Sequence, residues 1–247
     1  MTGGAGHNPA MVRTCSDCGV RDKALCASLT DAELAELAPL GVQRRLARGE
    51  TLMRAGDPPL VCANVQSGVM KISRTTPGGS EAIVGLAYPG DFIGRPFTGA
   101  SDHDVVALTD VELCVFPRAG FERAISAHDR MERLLLQRTI AELDRARDWL
   151  LRMAHATAGA RVAGFLHDMR RRLATSDCQK GAAPLGPQRF DLPMSRGEMA
   201  DLLGLTIETV SRQMTRLRAA GIIELPGGRG VIVRQPEALA AAAAALD

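Results

Sequence analysis

Three of the six cysteines, Cys15, Cys18 and Cys26, crowd into the stretch C-x2-C-x7-C near the N-terminus. Thiolates at that spacing suit a soft metal such as iron or zinc. Three ligands are insufficient, so a fourth must come from a structured element that can be held against this segment. Cys114, at the end of an apolar run just before Phe116-Pro117, is the best placed to supply it. Cys62 lies inside the apolar run Leu60 to Val65 and reads as a small buried hydrophobe. Cys178 lies in a loop and reads as an ordinary free thiol. Structural zinc usually takes two short-spaced pairs, and Cys15/Cys18 is the one short pair here; iron–sulfur clusters accept irregular spacing with a remote fourth cysteine. The spacing therefore ranks iron–sulfur ahead of zinc and leaves both open.

A second set of chemistry-bearing residues lies near the C-terminus. Ser195 with Glu198 forms a capping box that opens a helix over Arg196 to Leu203; Gly204 ends it and Thr206 caps the next. Helix, short glycine turn and helix is the helix-turn-helix pattern, whose second helix offers its N-terminal residues to base edges in the major groove. Glu208, Ser211, Arg212 and Thr215 share one face, and Leu205, Val210, Met214 and Leu217 the opposite, apolar one. Arg bonds guanine bidentately, Glu accepts from the cytosine amino group and Ser serves either, so Glu208, Ser211 and Arg212 are the candidate base readers. The plainer alternative is a surface ion pair between Glu208 and Arg212, worth a few tenths of a kcal/mol. Two apolar runs, Ile222 to Leu225 and Val231 to Arg234, flank Pro226-Gly227-Gly228-Arg229-Gly230 and predict a hairpin wing. Thr206, Thr209, Arg216, Arg218 and Arg229 are the candidate phosphate contacts, which position the protein without specifying sequence.

These sites need elements to hold them. The chain has 247 residues, 46% hydrophobic and 23% charged, with 30 Lys and Arg against 28 Asp and Glu. That composition is globular and excludes wholesale disorder. No apolar run approaches the ~20 residues that span a bilayer, and the first residues form no signal peptide, so no membrane association and a cytoplasmic location with reduced thiols are expected. Residues 1–14 read as a mobile leader and 15–29 as a cysteine-rich segment. Thr30 caps a short helix carrying Leu34, Leu37 and Leu40. Short apolar runs such as Leu60 to Val65, Val69 to Ile72, Ala82 to Leu86, Val105 to Leu108 and Leu113 to Phe116, parted by glycine and proline turns, predict an antiparallel barrel or roll over 30–126. Asp129 with Glu132 resembles a capping box, and no Gly or Pro interrupts the chain from there to Ala158, so a long helix spans 127–158. Leu136, Ile140, Leu143, Leu150 and Ala154 follow a four-three spacing along it, with Ala146 on the seam and Arg147 breaking it. That pattern fits two helices pairing in a homodimer better than one helix lying along its own barrel. A second helix over Ala160 to Leu173 and a loop over Thr175 to Arg189 lead into the C-terminal domain at 159–247. A CxxC thiol oxidoreductase is the enzymatic alternative, but the motif lacks a βαβ context and no catalytic set accompanies the histidines.

With both ends read, the chain resembles the CRP/FNR family of transcription regulators, and within it the FNR branch of oxygen-responsive iron–sulfur regulators. The cysteine triplet with Cys114, the segment from Gly90 to Pro96, the run Glu142-Leu143-Asp144 and the run from Leu203 to Arg212 carry the resemblance. It implies an α+β chain: a double-stranded β-roll like that of cyclic-nucleotide-binding proteins, a dimerisation helix and a C-terminal winged helix-turn-helix. It also implies a [4Fe–4S] cluster on Cys15, Cys18, Cys26 and Cys114 that breaks down in oxygen, with RNA polymerase as a partner. By the same resemblance, Glu208, Ser211 and Arg212 would read TTGAT-like half-sites of an inverted repeat in double-stranded DNA. Two departures matter. The stretch Gly90 to Val105 lacks the Arg-Ser or Arg-Thr pair that holds a cyclic nucleotide phosphate, so no such ligand is expected. Ala146 stands where some relatives carry an acid that keeps the cluster-free form monomeric. A zinc-bound or nitric-oxide-responsive version of the same fold is the nearer alternative.

Overall fold

The computed structural model describes residue 15 and residues 18–177 and 188–245. The expected leader, Cys178 and most of the expected loop before the C-terminal domain lie outside them. Eight strands build the N-terminal domain: β1 (Val42–Leu46), β2 (Thr51–Met53), β3 (Val61–Ser67), β4 (Met70–Thr75), β5 (Glu81–Ala87), β6 (Phe92–Ile93), β7 (Asp104–Ala107) and β8 (Val111–Pro117). They pair antiparallel into two four-stranded sheets, of order β1-β8-β3-β6 and β2-β7-β4-β5. This is the expected roll. Leu46, Val65, Met70, Val105 and Leu113, all buried, belong to the core cluster that joins the two sheets. Strands β1, β2 and β6 are additional to the five apolar runs. Each lies at the edge of a sheet, and β1, VQRRL, buries one residue, Leu46, so apolar periodicity is nearly absent there.

Helix α1 (Asp31–Leu37) begins with the expected Thr30 cap: the Thr30 side chain accepts from Glu33 N–H, and the Glu33 carboxylate accepts from Thr30 N–H. Helix α2 (Arg118–Ala127) follows β8 directly, and α3 (Asp129–His155) runs 27 residues, about 40 Å at 1.5 Å per residue. The expected capping box at its start does not form. His128 is the N-cap residue without a side-chain bond, and Asp129 and Glu132 lie within the first turn, where the helix dipole favours acids. The helix ends at His155 rather than Ala158, because Ala156 is extended and Thr157 Oγ1 accepts from Ala160 N–H, which starts α4 (Ala158–Asp177). Helix α4 also runs past the expected end at Leu173.

The C-terminal domain continues with β9 (Gln188–Asp191), α5 (Arg196–Leu203), α6 (Ile207–Ala219), β10 (Ile223–Glu224), β11 (Gly230–Val233) and α7 (Pro236–Ala243). The wing has three strands, β10-β11-β9, where the sequence indicated two. Gln188 and Arg189, assigned to a loop, pair with Val233 and Ile232. The two domains share a core. Val69, Ile83, Tyr88 and Leu108 of the roll belong to the same buried cluster as Phe165, Met169, Phe190, Leu203 and Val210.

Candidate functional site

Strand β8 supplies the remote cysteine. Cys114 stands in the middle of the strand rather than at its end, opposite Gln43 of β1 on one side and Asn64 of β3 on the other. Behind it, Phe116 and Phe92 each pack on Phe121 with ring centroids 5.2 and 5.3 Å away, contacts worth about 0.5–1.5 kcal/mol each beyond their burial. Gly41 lies so close that a Cβ there would stand 3.2 Å from Cys114 Sγ and 2.9 Å from the Phe116 ring. The N-terminal segment is anchored over this strand by buried Val20, Ala24, Leu25 and Leu29. Its 3-10 turn, Leu25–Ser28, carries Cys26, and Ser28 Oγ donates to Leu25 O at 2.9 Å.

The result is one cavity of about 40 Å3 lined by all four predicted thiols, Cys15, Cys18, Cys26 and Cys114. Val20, Leu34, Leu37 and Phe116 supply its apolar wall, and Gln43, Asn64, Gln66 and Arg21 its polar groups. Among the described residues, no three His, Cys, Asp or Glu side chains group as they must to hold a metal ion. Burial, and then the neighbouring Cys18, raises the Cys15 thiol above its ordinary range. Burial, then Cys15 and Cys18, pushes Cys26 up to about 11. Burial, then Cys26, Cys15 and Cys18, pushes Cys114 up to about 12. Thiolates packed this closely in an apolar pocket raise one another's cost of ionisation, so positive charge must accompany them if they ionise together. The donor set of four thiols and no carboxylate or imidazole suits soft metal ions. Cys62 is fully buried in the adjacent core and outside the cavity, as expected.

Several residues here were not singled out from the sequence. Asn64 Nδ2 lies 3.8 Å from Cys26 Sγ and Gln66 Nε2 3.7 Å from Cys18 Sγ. A polar residue inside the apolar run Leu60 to Val65 was the one available signal. Arg138 of α3 donates to Gly90 O at 3.0 Å and also to Lys23 O, joining the long helix, the roll and the cysteine segment. Gly90, at φ +94°, meets Lys23 so closely that a Cβ would stand 2.8 Å from the Lys23 Cβ. Arg130 of α3 donates to both Glu33 carboxylate oxygens at 2.6 Å, a second tie to the same region.

The recognition unit forms as its caps dictate. Ser195 Oγ accepts from Glu198 N–H, and Gly204 turns left-handed at φ 60° and ψ 42°. Thr206 Oγ1 accepts from Thr209 N–H at 3.2 Å to start α6. Val210, Met214 and Leu217 of α6 are buried while Glu208, Ser211 and Arg212 are exposed, so one face packs and the other is presented. Arg212 donates to Thr209 Oγ1 at 3.3 Å, and the alternative ion pair with Glu208 does not form. Backbone N–H and the Thr206 hydroxyl lower the Glu208 carboxyl below its usual range and keep it ionised. Arg216 and Arg218 are exposed on the same helix. Arg229 at the wing tip is exposed, and reaches back to donate to Pro193 O at 3.4 Å. A bidentate pair of Arg234 with Glu224, 2.8 Å per contact, pins the wing strands.

Helix α3 buries one residue, Met131. Leu136, Ile140, Leu143 and Leu150 are 48–67% exposed, and Ala146, Arg147 and Ala154 are exposed beside them. Arg161 fastens its C-terminal end to the reader, donating to Met153 O at 2.8 Å, Ala156 O at 3.0 Å and Leu203 O at 3.3 Å. No described helix is long and apolar enough to cross a membrane.

Residues 160–242 match the Crp-like helix-turn-helix domain family and residues 43–128 the cyclic nucleotide-binding domain family. The chain is 39% identical over 225 residues to the transcriptional activator protein FnrL of Cereibacter sphaeroides, covering 91% of this chain and 90% of that one. It is 40% identical over 231 residues to the nitrogen fixation regulation protein FixK of Bradyrhizobium diazoefficiens, covering 92% and 94%. The solved structure of FixK2 from Bradyrhizobium japonicum superposes with a TM-score of 0.73 at 29% identity, covering 83% of this chain and 98% of that one. A roll joined by a long helix to a winged helix-turn-helix defines a DNA-binding transcription regulator, not an enzyme. The chain belongs to the CRP/FNR family of transcription regulators.

Proposed function

We propose that this regulator responds to oxygen through a [4Fe–4S] cluster held by Cys15, Cys18, Cys26 and Cys114, and activates transcription as a homodimer on an inverted repeat with TTGAT-like half-sites. The observation that carries this reading is the convergence of four thiols, from two distant parts of the chain, on one largely apolar cavity. One short-spaced pair with a third and a remote fourth cysteine suits an iron–sulfur cluster better than a single zinc ion. When bound, the cluster supplies a cross-link that dioxygen can destroy.

The chain's own residues convert that local event into a change at DNA. Arg138 and Arg130 tie the cysteine segment and α1 to α3, so any displacement of the segment is felt by the long helix. The exposed row of Leu136, Ile140, Leu143 and Leu150 gives α3 an apolar seam for its copy. Arg161 carries the position of α3 to the end of α5, and two recognition helices then fit half-sites about 34 Å apart. Differential stabilisation of a few kcal/mol is enough to shift such a two-state equilibrium a hundredfold. The stretch Gly90 to Val105 offers no Arg-Ser or Arg-Thr pair for a nucleotide phosphate, and a cyclic nucleotide is not part of this reading. RNA polymerase is the partner at the promoter.

Anaerobic purification with iron and sulfide analysis, followed by a gel shift on the inverted repeat before and after air, tests the whole proposal. Four irons and four sulfides per chain, with DNA binding lost in air, are expected. A colourless protein that binds equally in air removes the sensor and keeps the DNA reader; stoichiometric zinc supports the alternative metal.

A further inference from the structure

We propose that Asn64 and Gln66 are N–H donors to the cysteine sulfurs that raise the reduction potential of the bound cluster and slow its destruction by dioxygen; this rests on the cluster reading above. Both residues belong to β3, the strand paired with the Cys114 strand, and Asn64 stands directly opposite Cys114. Asn64 Nδ2 lies 3.8 Å from Cys26 Sγ, and Gln66 Nε2 3.7 Å from Cys18 Sγ. Asn64 is 2% exposed, and its Oδ1 has no hydrogen-bond partner. A buried carboxamide that leaves its acceptor unmade while its donor meets sulfur is held in place for the donor. Gln66 lies where the β3–β8 register shifts, between Val65 and Ser67. Such a bulge frees a residue from the ladder and re-aims its side chain.

Cluster-bound thiolate sulfur accepts hydrogen bonds and donates none, and its negative charge grows with the number of electrons on the cluster. N–H donors therefore favour the more reduced state and raise the potential. A bound cluster would be oxidised by giving one electron to dioxygen, which becomes superoxide, so a higher potential of that couple would oppose the transfer. Two of the four sulfurs receive this help from side chains that no metal-ligand spacing would single out.

The test uses the full chain purified without oxygen, as wild type, Asn64→Ala, Gln66→Met and Gln66→Lys. Midpoint potential is read by spectroelectrochemistry, Fe–S stretching by resonance Raman, and cluster loss in air by visible absorption. Gln66→Met and Asn64→Ala are expected to load iron normally, to show a lower potential and altered Fe–S stretching, and to bleach roughly 10-fold faster in air. Gln66→Lys, which keeps an N–H donor, is expected to avoid the fall in potential. Should Asn64→Ala fail to load iron, the half-buried position of Gln66 decides by itself. Full loading with potential and bleaching rate unchanged in Gln66→Met overturns the inference and leaves the cluster standing. A wild-type protein without iron removes both.

Discussion

Cys114 is fixed by neighbours on every side that the fold can offer: Gln43 and Asn64 across the ladder and Phe116 with Gly41 behind. Cys114→Ser is expected to keep the circular dichroism of the parent and to lose most of its anaerobic iron; full iron retention would take Cys114 out of the ligand set. Glu33 makes a different kind of test. Thr30 N–H and hydroxyl, aided by Arg130, hold its carboxyl near pKa 2 against an ordinary 4.5. A lowered folded value means a contribution present above about 4.5 and lost as pH falls through about 2. The Tm gap between wild type and Glu33→Gln is thus expected to be open at about pH 6 and closed at about pH 2; a gap that ignores pH would assign the effect to packing. At the other end, Arg212→Ala should cost about 1–3 kcal/mol and relax preference at one base pair, measured by binding to singly substituted repeats, whereas uniform loss would make Arg212 a phosphate contact. That Cys15, Cys18 and Cys26 share a cavity was legible in their close spacing, and Cys114 joined them as the remaining cysteine on a strand able to face that segment. Asn64, Gln66 and Arg138 were not legible, because an amide in a strand or an arginine on a helix carries no signal until tertiary contacts give it a sulfur or a carbonyl to meet.

Helix α3 presents a row of leucine and isoleucine to solvent when a single chain is considered. Ile140→Glu is expected to raise the dimer dissociation constant at least tenfold by sedimentation analysis, while changing the stability of the monomer by no more than about 0.5 kcal/mol, since the side chain is 51% exposed there. Ala146→Asp should act in the same direction through repulsion between the two copies, with most effect in cluster-free protein. Unchanged association in both variants would place the dimer interface elsewhere. The existence of this helix was legible because no Gly or Pro interrupts it; its ends were not. Thr157 offers its hydroxyl as a cap for α4, and that local bond ends α3 three residues before the expected boundary. The same limit explains β1, β2 and β6, edge strands with one neighbour each. An edge strand is fixed by ladder bonds to a remote partner, and little of that pairing is written in its own side chains. The capped helices α1 and α5 were read correctly at their starts because a hydroxyl and an acid three residues apart act within one turn, and α6 because the Thr206 hydroxyl takes the Thr209 N–H within the same turn.

At the scale of the whole chain, Tyr88 is the point where the two domains meet. Its hydroxyl donates to Met169 Sδ at 3.1 Å, Arg172 lies 4.6 Å over its ring, and Arg172 also bonds Asp91 at 3.3 Å. Met169→Ala is expected to destabilise by about 2–5 kcal/mol as a fully buried truncation, and denaturant unfolding followed at both ends of the chain should show one coincident transition. Separate transitions would show that the shared core contributes little. Because that core runs through Val69, Ile83, Tyr88 and Leu108 into α4, the covalent joint at Ala156 is not the physical boundary of the reader. A hybrid regulator made by cutting there and grafting a relative's winged helix would set a foreign surface against those four side chains. The unit that can be transplanted intact is the winged helix together with the roll residues it rests on, and a hybrid that carries them across should respond to its signal where the simple splice is uncoupled from it.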